Sequence, residues 1–111
     1  TLRENILLPL HNKDIDPSEF IIVSNEVAIK FGIEDILDRY PHEVSGGEQQ
    51  RAAICRAIIN QPKVVLADEP TGNLDSKSTT TVMQCFEKLN KEDGITILMV
   101  THDLYTASYC D

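Results

Sequence analysis

Val44-Ser45-Gly46-Gly47-Glu48-Gln49-Gln50-Arg51 and, a short way downstream, Val64-Val65-Leu66-Ala67-Asp68-Glu69-Pro70-Thr71-Gly72-Asn73-Leu74-Asp75 are the stretches whose reading decides the fold of this chain. In the first, Ser45 and Glu48 stand in the S-x-x-E spacing of a capping box, which predicts a helix opening at the two glycines. Ala52, Cys55 and Ile58-Ile59 give that helix an apolar face, and Asn60-Gln61-Pro62 breaks it. Paired glycines let a ligand approach the backbone closely. The helix start beyond them offers unpaired N–H groups and the positive end of a dipole, which suits an anion. A simple capped helix has the same local pattern, so these residues alone leave both readings open.

In the second stretch, the β-branched run from Lys63 to Ala67 predicts a short buried strand. Two adjacent carboxylates, Asp68 and Glu69, close it, and Pro70-Thr71-Gly72-Asn73 reads as a loop. Val82, Phe86 and Leu89 recur at helical spacing, and that helix is expected to stop near Asp93-Gly94. Ile95 to Val100 predicts a second buried strand, followed by the turn Thr101-His102-Asp103, with Asp103 placed to cap a last helix. Strands separated by a helix pair in parallel through a right-handed crossover. Both then end at the same sheet edge, where open α/β sheets bind ligands. Topology alone is therefore expected to bring Asp68, Glu69 and His102 together. Side chains alternate along a strand, so the two carboxylates face different ways and can take different roles. An Asp that ends a hydrophobic strand is suited to holding Mg²⁺ in phosphoryl transfer. The Glu beside it fits a general base acting on water.

Upstream, Thr1 to Leu10 is amphipathic and runs through Ile6-Leu7-Leu8 into Pro9; Asn12 to Asp16 is polar and reads as a loop. Asp16-Pro17 looks like an N-cap with proline in the first turn. Phe20, Val23, Val27 and Phe31 then predict a helix face, ended by Gly32, and Ile33, Ile36, Leu37 and Tyr40 suggest a second short helix ended by Pro41. The layout is helical for the first sixty residues or so, then strand–helix–strand–helix, which is an α/β chain.

The 111 residues carry a formal net charge of −8, with 41% hydrophobic and 25% charged residues. That composition is ordinary for a globular chain, and the acidic balance argues against a nucleic-acid partner, which favours a basic face. No apolar run approaches the ~18 residues that would span a bilayer, and nothing at the front reads as a secretory signal. The three cysteines, Cys55, Cys85 and Cys110, lack C-x-x-C spacing and are expected to be small buried hydrophobes in a reducing cytosol. His11 and His42 read as surface residues.

The string from Val44 to Arg51 resembles the signature motif of ATP-binding cassette (ABC) ATPases, and Val64 to Pro70 resembles their Walker B strand. Asn73-Leu74-Asp75 resembles the D-loop, and Thr101-His102-Asp103 the switch-histidine turn. Asp68 through Asp75 is similar to the lipoprotein-release and macrolide-export group. Glu4-Asn5-Ile6-Leu7-Leu8-Pro9-Leu10, Tyr40-Pro41-His42-Glu43 and Ile97 to Asp103 look most like its bacitracin and antimicrobial-peptide export branch. The resemblance implies a P-loop NTPase fold, with residues 1–60 as the helical subdomain and 61–111 as the later part of a RecA-like ATPase core. It implies ATP and Mg²⁺ as ligands, Asp68 on the metal, Glu69 and His102 as catalytic residues, and Ser45, Gly46, Gly47, Glu48 and Asp75 in nucleotide binding. Ser45 and Gly47 would contact the γ-phosphate held by the other subunit of a dimer.

The same resemblance implies a second ATPase subunit and an integral membrane permease as partners, no nucleic acid, and a peripheral place on the cytoplasmic face of a bacterial membrane. The family's Walker A string, G-x-x-x-x-G-K-[ST], and its Q-loop are not found in the 111 residues. The chain is therefore expected to be a fragment of a longer cassette and inactive alone. Two other readings stay open at this point: an ABC-type ATPase of DNA repair or chromosome structure, and a non-catalytic interaction module. Pro70 to Asp75 and the acidic charge favour the transporter.

Overall fold

The computed structural model describes residues 1–110, and the chain falls into two compact units, Thr1–Gln61 and a second that begins at Pro62. Among the described residues no helix is long and apolar enough to cross a membrane.

The first unit is helical: α1 (Leu2–Leu7), α2 (Pro17–Lys30) and α3 (Gly46–Ile58), with short 3-10 turns at Leu8–Leu10, Glu34–Ile36 and Pro41–Glu43. Asp16 caps α2 by accepting from the Ser18 N–H at 3.0 Å, and Pro17 occupies the first turn. The chain leaves α2 through Gly32 at φ +71°, a left-handed conformation that favours glycine. The face α2 buries is rotated from the expected one. Ser24 and Ala28 are fully buried, Phe20, Val23 and Val27 are half-buried, and Ile21, Ile22 and Ile29 are exposed. Small side chains sit at the centre of this stripe because the backbone is approached there. The Cys55 thiol of α3 lies 3.7 Å from the Val27 carbonyl, and the Arg3 guanidinium of α1 donates to Ser24 Oγ at 2.7 Å and Asn25 Oδ1 at 2.8 Å.

The helix expected over Ile33–Tyr40 is a single 3-10 turn. Ile33, Ile36 and Leu37 are buried as the spacing suggested, but Tyr40 is exposed. The segment is anchored on α1. The first amides of a helix have no intrahelical acceptor, and those of Leu2 and Arg3 take the carbonyls of Arg39 and Leu37, each at 2.9 Å. Tyr40, the residue before Pro41, takes the extended backbone that a following proline favours, at ψ 154°. Pro41 then opens a 3-10 turn instead of ending a helix.

The second unit holds β1 (Val64–Asp68), α4 (Ser76–Asp93), β2 (Thr96–Val100) and α5 (Leu104–Ala107). β1 and β2 pair in parallel, in a register running from Val64↔Thr96 to Asp68↔Val100, as the strand–helix–strand order predicts. Asp75 caps α4 by accepting from the Ser78 N–H at 3.1 Å, and Gly94 ends it at φ +67°. Val82, Met83, Phe86 and Leu89 of α4 form the core with Val65, Ala67 and Ile95. The strands are covered on one face only, not buried on both. Val64 and Leu66 of β1 and Leu98 and Val100 of β2 are all more than half exposed. In the register Leu66 stands beside Leu98, while the half-buried Ile97 and Met99 share the inner face with the buried Val65 and Ala67.

Leu89 is fully buried at the centre of the second unit. Leu89→Ala should lower the unfolding free energy of the chain by about 2–5 kcal/mol in urea titration. A loss under about 1 kcal/mol would contradict this packing.

Candidate functional site

The glycine turn has the geometry its spacing predicts. Ser45 has extended backbone angles and caps α3: its Oγ accepts from the Glu48 N–H at 3.2 Å, and its own N–H donates to Glu48 Oε1 at 2.9 Å. The Ser45 N–H is the main cause that holds the Glu48 carboxyl below its ordinary range. The Ser45 hydroxyl is engaged on the same carboxylate, its side chain adding a smaller hydrogen bond that lowers the Glu48 carboxyl further. The amides of Gly46 and Gly47 precede the first i→i−4 acceptor and have no intrahelical partner. Two amides at the positive end of a 13-residue helix, beside the capping serine, make a site suited to a phosphate oxygen. Arg51 does something the sequence did not reveal: it donates from Nη1 to the Phe31 carbonyl at 3.1 Å, tying α3 to the end of α2.

In the second unit the strand edge assembles as expected for Glu69 and His102. Glu69 follows β1 directly and its N–H donates to the Val100 carbonyl at 2.7 Å, extending the ladder by one bond. It lies at φ +46°, a left-handed conformation that costs a residue with a Cβ about 1–2 kcal/mol. The turn brings its carboxylate back against the residues that follow β2. Glu69 Oε1 accepts from the His102 backbone N–H at 2.9 Å and lies 3.8 Å from His102 Nε2; Glu69 Oε2 accepts from Thr101 Oγ1 at 3.4 Å. The imidazole itself is almost wholly exposed, at 97% of its side chain. A carboxylate with both oxygens fixed beside an exposed imidazole can orient a water and take its proton. Thr101 is a residue that sequence reasoning gave no part. Its signal was only a hydroxyl one step past a strand end at the edge already singled out.

Asp68 is exposed on the face that carries Leu66, and its carboxylate has no protein partner among the described residues. Those residues contain no cluster of three metal-ligating side chains. The donor set fits Mg²⁺ in the form in which that ion is held by one carboxylate, water and substrate phosphates; it does not fit an all-protein cage. Asp75 caps α4, and its hydrogen bonds with Ser78 hold its carboxyl below the ordinary range. The loop before it is tightened by Gly72 N–H to the Glu69 carbonyl at 3.1 Å and Leu74 N–H to the Thr71 carbonyl at 3.2 Å, with Asn73 at φ +65°. His11 and His42 are exposed, the latter stacked on Tyr40. Cys55 and Cys85 are buried, whereas Cys110 is exposed, contrary to the expectation for it, because it follows the last helix.

A family model described as ABC transporter matches residues 1–72. The ABC transporter ATP-binding protein YxdL of Bacillus subtilis is 53% identical over 110 residues, covering 99% of this chain and 43% of that protein. The bacitracin export ATP-binding protein BceA of Halalkalibacterium halodurans is 47% identical over 110 residues, covering 99% of this chain and 44% of that protein. A solved dimeric ATP-binding cassette in a post-hydrolysis state, with ADP and phosphate bound, is 40% identical; it superposes with a TM-score of 0.82 over 98% of this chain and 49% of its own. The chain spans less than half the length of the curated relatives it matches.

The capping geometry has a pH consequence. A carboxyl whose folded pKa is depressed binds fewer protons than the unfolded chain does, so its contribution to stability is present above the ordinary Glu value of 4.5 and is lost as pH falls through the depressed value. Glu48→Gln keeps an acceptor for the Ser45 N–H but cannot titrate. Its unfolding free energy, measured against pH, should fall less steeply below pH 4.5 than the parent's, with parallel curves above about pH 6. Identical slopes below 4.5 would show that the Ser45–Glu48 bond is not formed in solution.

Proposed function

The chain belongs to the ABC transporter family, and on that premise we propose that it is part of the ATP-hydrolysing subunit of a bacterial ABC transporter. The full protein would act as a dimer on a membrane permease and couple hydrolysis to export of, or resistance to, a peptide antibiotic such as bacitracin or another substrate. It would then lie on the cytoplasmic face of the membrane through that permease, with no nucleic-acid partner. The observation that carries the reading is the pairing of Glu69 with the Thr101–His102 turn, since it supplies a fixed carboxylate and an imidazole where a water can attack.

In this reading Glu69 accepts the proton of the attacking water while the His102 N–H and Thr101 Oγ keep its oxygens in place. His102 Nε2, 3.8 Å from Glu69 Oε1, faces the γ-phosphate and helps to orient the water. Asp68 would hold Mg²⁺, which when bound would supply positive charge to the substrate's phosphates. Ser45 and the amides of Gly46 and Gly47 receive the γ-phosphate bound to the opposite subunit. Glu48 fixes the turn that presents them, and Asp75 anchors the loop from Asn73 at the interface between subunits. No phosphate-loop string G-x-x-x-x-G-K-[ST] is among these 111 residues.

In the full-length protein, Glu69→Gln should lower ATP turnover by about 10²–10⁴-fold while ATP affinity is kept and an ATP-bound dimer accumulates. Ser45→Arg should leave binding to one subunit intact and block ATP-dependent dimerisation. Turnover and dimerisation measured for both variants decide the matter. Near-normal turnover in Glu69→Gln removes the base assignment, and normal dimerisation and hydrolysis in Ser45→Arg removes the phosphate-site assignment for the glycine turn.

A further inference from the structure

Behind the edge that carries Glu69 and His102 lies a buried pair of hydroxyls. Thr71 and Thr106 are 6% and 0% exposed, and their Oγ1 atoms are 2.7 Å apart. Thr106 Oγ1 also donates to Asp103 Oδ2 at 3.0 Å. A hydroxyl has one proton. That of Thr106 is committed to Asp103, so Thr71 must be the donor across the 2.7 Å contact. The direction of the chain is fixed: Thr71 to Thr106, Thr106 to Asp103.

The chain closes on the candidate base. The Asp103 N–H donates to Thr101 Oγ1 at 3.1 Å, and Thr101 Oγ1 donates to Glu69 Oε2 at 3.4 Å. Thr71 is two residues after Glu69, and Thr106 is four residues after His102. The loop after β1 and the turn after β2 are therefore joined twice, once through Glu69 at the sheet edge and once through the two threonines in the interior. Valine would fill the same volume without a hydroxyl, and a buried hydroxyl without a partner destabilises its site. The interior pair is satisfied only when both loops hold this one relative position, the behaviour expected of a fully satisfied buried network.

From this we infer that Thr71 and Thr106 are positioning residues for hydrolysis: their buried hydroxyl pair, acting through Asp103 and Thr101, holds the Glu69 carboxylate and the His102 turn in register. This rests on the reading of Glu69 as the base. Neither threonine touches substrate, so their loss should change the rate of cleavage and not the affinity for nucleotide.

The test uses the full-length protein with Thr106→Val, Thr71→Val and Thr106→Ser, beside Glu69→Gln. Turnover is referred to the fraction of protein that binds ATP. Each Val variant should lower kcat on the order of ten- to a hundredfold, the scale of a small misplacement of a reacting group, with KM for ATP within about twofold of the parent. Thr106→Ser, which restores the hydroxyl, should recover most of the rate. Amide hydrogen exchange at His102, whose N–H is held by Glu69 Oε1, should quicken in the Val variants and not in Thr106→Ser. The inference is overturned if Thr106→Val keeps kcat within twofold, if Thr106→Ser is as slow as Val, or if both Val variants lose ATP binding along with turnover. The last result would make the pair a folding element. Normal turnover in Glu69→Gln would instead remove the base reading itself, whereas an inactive Glu69→Gln beside a normal Thr106→Val removes only the positioning role.

Discussion

The parallel pairing of β1 with β2 is the constraint on which the second unit depends. Five register pairs end at Asp68↔Val100, and one more ladder bond, from the Glu69 N–H to the Val100 carbonyl, carries the alignment past the strand. A slip of one residue would move every side chain of a strand to the other face. It would expose Val65 and Ala67, bury Asp68, and take Glu69 away from the Thr101–His102 turn. The hydrophobic effect thus sets the position of the candidate base: the apolar face against α4 fixes the register, and the register fixes the carboxylate. The left-handed backbone at Glu69 is the local strain in this arrangement, and the bonds its carboxylate accepts from His102 and Thr101 hold it there.

Polar groups in both units serve structure and proposed chemistry at once. Ser45 and Glu48 close a helix end and in doing so set the two glycine amides that follow at its positive end, without intrahelical partners. Asp75 starts α4 while it anchors the loop from Asn73. Asp68 is the exception. It is exposed and has no protein partner among the described residues, as suits a carboxylate reserved for a hydrated cation.

Much of this was legible in the sequence because the signals are local. The Ser45–Glu48 spacing, the Asp16-Pro17 start, the Gly94 stop and the Asp103 cap each depend on bonds within a few residues, and each was read correctly. The convergence of Glu69 and His102 was legible for a different reason, since strand–helix–strand topology admits one handed answer. What was not legible depends on distant partners. The turn at Ile33–Tyr40 is anchored from a distance, its Arg39 and Leu37 carbonyls accepting from the amides of Leu2 and Arg3. The buried stripe of α2 shifted to Ser24 and Ala28 because Arg3 and Cys55 approach it. The exposed sheet positions followed a register that hydropathy alone does not set, and the Thr71–Thr106 pair joins residues 35 apart in sequence. The resemblance to ABC ATPases identified the family, which the match over residues 1–72 bears out.

On the proposed reading, Glu69 acts because its carboxylate is held at one place by His102 and Thr101. Glu69→Asp tests it directly in the full-length protein, since the charge stays and the carboxylate withdraws by one methylene. Single-turnover ATP cleavage, with nucleotide binding measured on the same sample, should slow on the order of a hundredfold while affinity is unchanged. Cleavage at the parent rate would contradict the account.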